Sequence, residues 1–183
     1  MKRLRKYIRK VLIESHFPLS GGEKLRIHHS RAGSRADGTP QISGFVQEIG
    51  YKPMGLWYEC QDGSSVSWKD FCTTGFSHGY SRYDAQYNVV LNDYEILFIK
   101  DEAHFEKFHN MYSVNHRMDP DGTKGFDKMI DWPKVAEHYA GIEICPYLYS
   151  KRSVFWYYGW DISSGCVWSS DGIKKLIKNR DCE

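Results

Sequence analysis

Aromatic side chains set the strongest limit on how this chain can fold. They make up 15% of its 183 residues and crowd into residues 51–71, 76–98 and 147–168. Each buries a large area, so a core is available. The runs that hold them are short and are broken by polar turns, and such runs read as strands. Strands are expected in "KLRIHHS" (residues 24–30), residues 54–60, "YDAQYNVVL", "YEILFIKD", "IEICPY", "VFWYYGWD" and "CVWSS". "ISGFVQEIGYK" passes from a turn into an edge strand, "RAGSRADGTP" is a loop, and "GIKKLIKNR" is a short basic ending. Helices are expected in "SWKDFCTTG", after a serine cap, and in "DEAHFEKFHNMYS", with Phe105, Phe108, Met111 and Tyr112 on one side. A third lies in "DKMIDWPKVAEHYAG", with Trp132 and Pro133 at its N-terminus and Gly141 as its stop. The sum is an α+β chain, a strand-rich core with a few short helices.

Length allows one domain with a small extension. Residues 1–20 form the extension and residues 21–183 the domain. The first ten residues hold six Lys or Arg and no acid, and the rest of the chain is slightly acidic, which argues against a nucleic-acid groove as the main feature. Leu4, Tyr7, Ile8, Val11 and Leu12 fall at helical spacing among these cations, so the segment is a basic amphipathic helix able to dock on its own domain, a partner or a membrane surface. No stretch is apolar enough to span a membrane, and no apolar core follows the basic start as a secretion signal requires. The five cysteines, Cys60, Cys72, Cys145, Cys166 and Cys182, form no CxxC and no zinc-finger spacing, and read as free thiols in a reducing cytosol.

Two stretches carry the chemistry. In "RIHHSR" a strand ends on His28, with Ser30 two residues on, and can offer an imidazole and backbone groups to a ligand. In "KPMGLWYECQDGSSVSWKDFC", residues 52–72, Lys52-Pro53 leads into an extended strand and Gly55 permits close approach of a ligand or another backbone. Leu56 and Tyr58 then face one side and Trp57 and Glu59 the other, before a turn to Ser65 and Trp68. Read alone, the first stretch is a structural strand end and the second a hairpin whose indoles pack in the core.

Together the stretches resemble the ADP-ribosyltransferase superfamily in its poly(ADP-ribose) polymerase and diphtheria-toxin-like branch. That branch opens with His-Gly-Ser or His-Gly-Thr; "HHS" matches it, with His29 in the Gly place. The branch continues with Gly-x-Tyr-Phe and a later Ser and Tyr; "GLWY" puts Trp57 at the first Tyr, and Ser65 and Trp68 at the two later places. The stretch from residue 24 to residue 170 also resembles small phage proteins with Lys-Pro-x-Gly-Leu-Trp and a late motif matching "WDISSGCVW", residues 160–168. The N-terminal "LIE" resembles the end of phage capsid-targeting peptides, which places a cut after Glu14.

The resemblance implies a split β-sheet core and NAD as substrate. Trp57 and Trp68 would hold the cationic ring between them, since a cation is drawn to aromatic faces. Ser65 would bond the carboxamide, with the backbone near His29 and Ser30, and His28 would bond a ribose hydroxyl. Cleavage of the nicotinamide–ribose bond develops oxocarbenium charge, which a carboxylate stabilises. The branch supplies a Glu at the start of its last core strand. This chain has Ser163, Ser164 and Gly165 there, so Asp161 is the candidate acid and Glu143 the second. The alternatives are transfer of ADP-ribose to a host protein or nucleic acid, NAD hydrolysis, and a non-enzymatic virion-associated or interaction protein with the same fold. A plain interaction domain whose aromatics are all core is a third. The implied setting is the host cytoplasm or a phage virion. No metal is expected: His104 and His109 diverge on a helix, and "DPDG" lacks the calcium-loop pattern.

Overall fold

The computed structural model describes residues 17–18, 20–31, 40–63, 66–74, 83–117 and 126–179. The N-terminal segment, Glu14, Ser65 and "DPDG" lie outside them. The chain is mixed α+β and mostly sheet. Its strands are β1 (Leu25–Arg31), β2 (Ile49–Gly50), β3 (Leu56–Gln61), β4 (Tyr83–Leu91), β5 (Ile96–Ile99), β6 (Ser113–Arg117), β7 (Phe126–Asp131), β8 (Gly141–Ile144), β9 (Ser164–Val167) and β10 (Ile173–Lys178). A curled seven-stranded sheet runs β10-β4-β1-β3-β9-β8-β5, and a three-stranded sheet runs β2-β7-β6. Among the described residues β5 and β8 pair in parallel and the other pairs are antiparallel.

The large sheet buries both faces. Along β5 every residue is buried, and they alternate between two clusters: Leu97 and Ile99 in one, Ile96 and Phe98 in the other. The larger cluster packs under helix α2 (Glu102–Tyr112), through Phe105, Phe108 and Tyr112, and under α3 (Trp132–Ala136), through Trp132 and Val135. Asp101 caps α2 and Asp131 caps α3, each accepting a backbone N–H three residues on. Ser67 caps helix α1 (Trp68–Thr74) as expected, its Oγ accepting the Asp70 N–H at 3.1 Å. Gly55 serves close backbone approach, since a Cβ there would lie 2.4 Å from the Val167 carbonyl oxygen.

Four expectations are corrected. "VFWYYGWD" is not a strand but a series of turns ending in a 3-10 turn, Tyr158–Trp160. Trp156, Tyr157 and Trp160 all enter one cluster, and that spacing suits turns rather than a strand's alternation. The expected third helix starts at Trp132 and Pro133 as placed, but it ends at Ala136 and Gly141 opens β8 instead, while the residues before Trp132 belong to β7, which pairs with β6. "GIKKLIKNR" contributes β10, an edge strand with Lys174, Lys175 and Lys178 outward, the charges that guard an edge. Cys60 and Cys145 are not free thiols: they form a disulfide across 85 residues, where β3 and the end of β8 come within 6.3 Å between Cα atoms. Cys72 and Cys166 are free and buried. A non-reducing peptide map should return Cys60 and Cys145 in one linked species; separate alkylated peptides would refute the pairing.

Burial on the second face is secured by charge. Arg26 grips Glu143 through Nε at 2.5 Å and Nη2 at 3.0 Å, and Tyr58 donates its hydroxyl to the same carboxylate at 3.1 Å. Removing one member strands the other charge in the core. Glu143→Gln should therefore cost about 3–5 kcal/mol in urea unfolding, and Arg26→Met with Glu143→Leu should recover most of it. A midpoint unchanged by Glu143→Gln would show that the pair contributes nothing.

Candidate functional site

Strands β1 and β3 pair only through Leu25–Gln61, Arg26–Cys60 and Ile27–Glu59. Beyond Ile27 the ladder stops, and a pocket of about 280 Å³ is lined by residues from both strands there. The His28 ring takes over where the backbone ladder ends: Nδ1 lies 2.6 Å from the Trp57 carbonyl oxygen. A carbonyl can only accept, so Nδ1 carries the proton and Nε2 of the neutral ring is an acceptor. Burial holds the His28 pKa below its ordinary value; the Trp57 carbonyl works against this and His29 adds to it. The ring is neutral at physiological pH.

Trp57 and Glu59 share one face of β3, as the alternation predicted, and both line the pocket. Trp57 meets Trp160 edge-on at 4.9 Å, which fixes the wall. Trp68, at the start of α1, lines the pocket from a third segment and stacks on Phe71 at 5.5 Å. Lys52 stands at the solvent edge, its Nζ 5.1 Å from the Trp57 ring centre. Displacement of water there lowers the Lys52 pKa, against the pull of Asp161.

The pocket's carboxylate is Glu59, which is buried. It accepts the Trp68 N–H at 2.5 Å and Gln61 Nε2 at 3.1 Å, and His29 Nε2 lies 3.5 Å away. Burial alone would raise its pKa, but the bonds from His29 and the Trp68 N–H outweigh it and hold the group below its usual range. A fixed negative charge thus faces an aromatic-walled space.

The expected site residues divide. His28, Trp57 and Trp68 converge on the pocket. Ser30 is buried but is not part of the lining. Ser65 lies outside the described residues. Asp161 is exposed on the turn between Trp160 and Ile162, whose side chains do line the pocket, and it adopts φ 58°. Partial burial raises its pKa, with Lys52 opposing. Glu143 is committed to Arg26 and Tyr58 and does not line the pocket. Glu59, His29, Lys52 and Trp160 were not singled out from sequence as site residues. The signal for Glu59 was present, a charge on the same strand face as Trp57. Among the described residues Cys60, Glu143 and Cys145 cluster closely enough to offer metal ligands. The disulfide occupies both sulfurs, Arg26 holds the carboxylate, and Lys24 Nζ lies 3.2 Å from the Cys145 sulfur, all of which disfavour a cation.

No protein-family model matches the chain, and it matches no curated protein and no solved structure.

The neutral His28 carries a pH dependence. Unfolded, it takes a proton near pH 6.5; folded, only at lower pH. Its contribution to stability is complete above that range and is lost as pH falls toward the folded value. Urea midpoints should drop as pH falls below about 6.5 in the parent chain and drop less in His28→Gln. Parallel profiles would sink the assignment.

Proposed function

We propose that the chain binds NAD by its nicotinamide end and cleaves the nicotinamide–ribose bond, passing ADP-ribose to a macromolecular acceptor. The observation that carries this reading is the convergence of His28, Trp57 and Trp68, from three separate segments, on one pocket that also holds an ionised carboxylate. The ADP-ribosyltransferase-like arrangement of the sheet belongs to the same proposal. A pocket of about 280 Å³ accepts a ring and its sugar and leaves the rest of a dinucleotide outside.

In this reading the pyridinium enters between Trp57 and Trp68, attracted by their faces. His28 Nε2 accepts a ribose hydroxyl and orients the sugar, which is positional catalysis. Glu59, rather than the exposed Asp161, stabilises the positive charge that grows at the ribose as the bond breaks. Its depressed pKa suits that task, because the group must be ionised before the substrate arrives. The acceptor is a host protein or nucleic acid, and the basic residues 1–14 are the segment that docks on a partner or capsid.

A second reading keeps the fold and the pocket without the reaction. It is favoured by the partners already on Glu59, the Trp68 and Gln61 donors and the nearby His29 ring, which a structural carboxylate would also collect. Nicotinamide release from labelled NAD, with and without host-cell lysate, separates the two. The parent chain should release nicotinamide; Glu59→Gln should slow it by about two to three orders of magnitude, and Asp161→Asn far less. Binding of NAD with no release by the parent chain selects the second reading, and absence of binding overturns both.

A further inference from the structure

Lys52 is an ammonium that lines the edge of an aromatic pocket. Among the described residues it makes no ion pair and no hydrogen bond; its neighbours are the Trp57 ring, 5.1 Å away, and the Asp161 carboxylate, which acts on it from beyond ion-pairing distance. Its place is set by backbone on both sides. Pro53 follows it and starts the approach to β3, and Gly159 passes against the end of its side chain, where a Cβ would lie 3.2 Å from Cε and 3.7 Å from Nζ. The amine is therefore led over the indole, toward the pocket, rather than out along the surface.

Glu59 and Lys52 both line the pocket: Glu59 is negative and buried, and Lys52 is positive and exposed, its Nζ over the Trp57 ring. A ligand that satisfies both has a flat or cationic head and an anionic group behind it. We propose that Lys52 forms an anion subsite of this pocket, which takes the phosphate or diphosphate of a nucleotide whose base or ring enters between the indoles. This rests on the reading of the pocket as a nucleotide site and adds to it the group that holds the part left outside. A lysine binds phosphate as a mobile point charge and needs no fork geometry, so a single amine on a flexible stem suffices. Asp161 opposes the anion through space, so it weakens the subsite rather than building it.

The test uses the full chain and three probes: inorganic pyrophosphate, nicotinamide and nicotinamide mononucleotide. Binding is followed by the fluorescence of the indoles lining the pocket. Pyrophosphate and the mononucleotide should bind less tightly to Lys52→Met by about tenfold, and Lys52→Arg should keep most of the affinity. Nicotinamide alone should bind the parent and Lys52→Met equally. Asp161→Asn should tighten pyrophosphate, and added salt should weaken it in the parent chain more than in Lys52→Met. Pyrophosphate affinity unchanged in Lys52→Met would overturn the subsite. The outcomes are separable from those of the cleavage reading. A chain that binds pyrophosphate through Lys52 but never releases nicotinamide keeps the subsite and loses the reaction. A Lys52→Met chain that cleaves NAD with unchanged KM keeps the reaction and loses the subsite.

Discussion

Where two hydrogen-bonded strands part, their backbone groups lose partners and must find others. That constraint organises this molecule. Strands β1 and β3 separate after Ile27 and Glu59, and the Trp57 carbonyl is satisfied by His28 Nδ1 instead of by a backbone N–H. The substitution has chemical consequences. It fixes the tautomer, so Nε2 is an acceptor, and it lets residues of both strands line one space although neighbours on a strand alternate faces. His28 and His29 reach the same pocket because the sheet opens at them. The slot and its histidine are one feature.

The two faces of β3 meet the cost of buried charge in different ways. On the Tyr58 side, Glu143 is neutralised by Arg26, which reaches it from β1 past β3 and β9. Strands spaced about 4.8 Å apart in a flat sheet would hold β1 and β8 about 14 Å apart, so the contact requires the sheet to curl. That side is closed, paired and structural. On the Trp57 side, no arginine pairs with Glu59 among the described residues. This carboxylate accepts the Trp68 backbone N–H and the Gln61 amide, with the His29 ring 3.5 Å away. A carboxylate kept ionised by dipoles leaves a field that a cationic ligand or transition state can feel; one locked to a guanidinium does not. This difference makes Glu59, and not Glu143, the residue to consider for chemistry.

Much of this arrangement was legible before coordinates. Period-two alternation placed Trp57 and Glu59 together, the serine before α1 announced its cap, and helix α2 followed from Phe105, Phe108 and Tyr112. The convergence of His28 with both indoles was implied by the family resemblance and not by the residues read alone. What escaped depends on contacts distant in sequence. The Cys60–Cys145 bond joins residues 85 apart, and no spacing rule links them. The pairing of Glu143 escaped because its partner Arg26 lies 117 positions away. "VFWYYGWD" looked like a strand because its apolar density is high, and density alone does not distinguish a strand from turns whose aromatics all point inward.

Asp161 is the case in which sequence and structure differ most usefully. From sequence it was attractive as an acid at the end of an aromatic run. The coordinates give it φ 58°, a conformation that a side chain adopts only when its surroundings impose it, at a cost of about 1–3 kcal/mol. Its neighbours Trp160 and Ile162 are both buried and both line the pocket, while Asp161 between them is exposed and interacts with Lys52. There it acts on Lys52 at the pocket's edge, while the buried carboxylate in the pocket lining is that of Glu59, on β3.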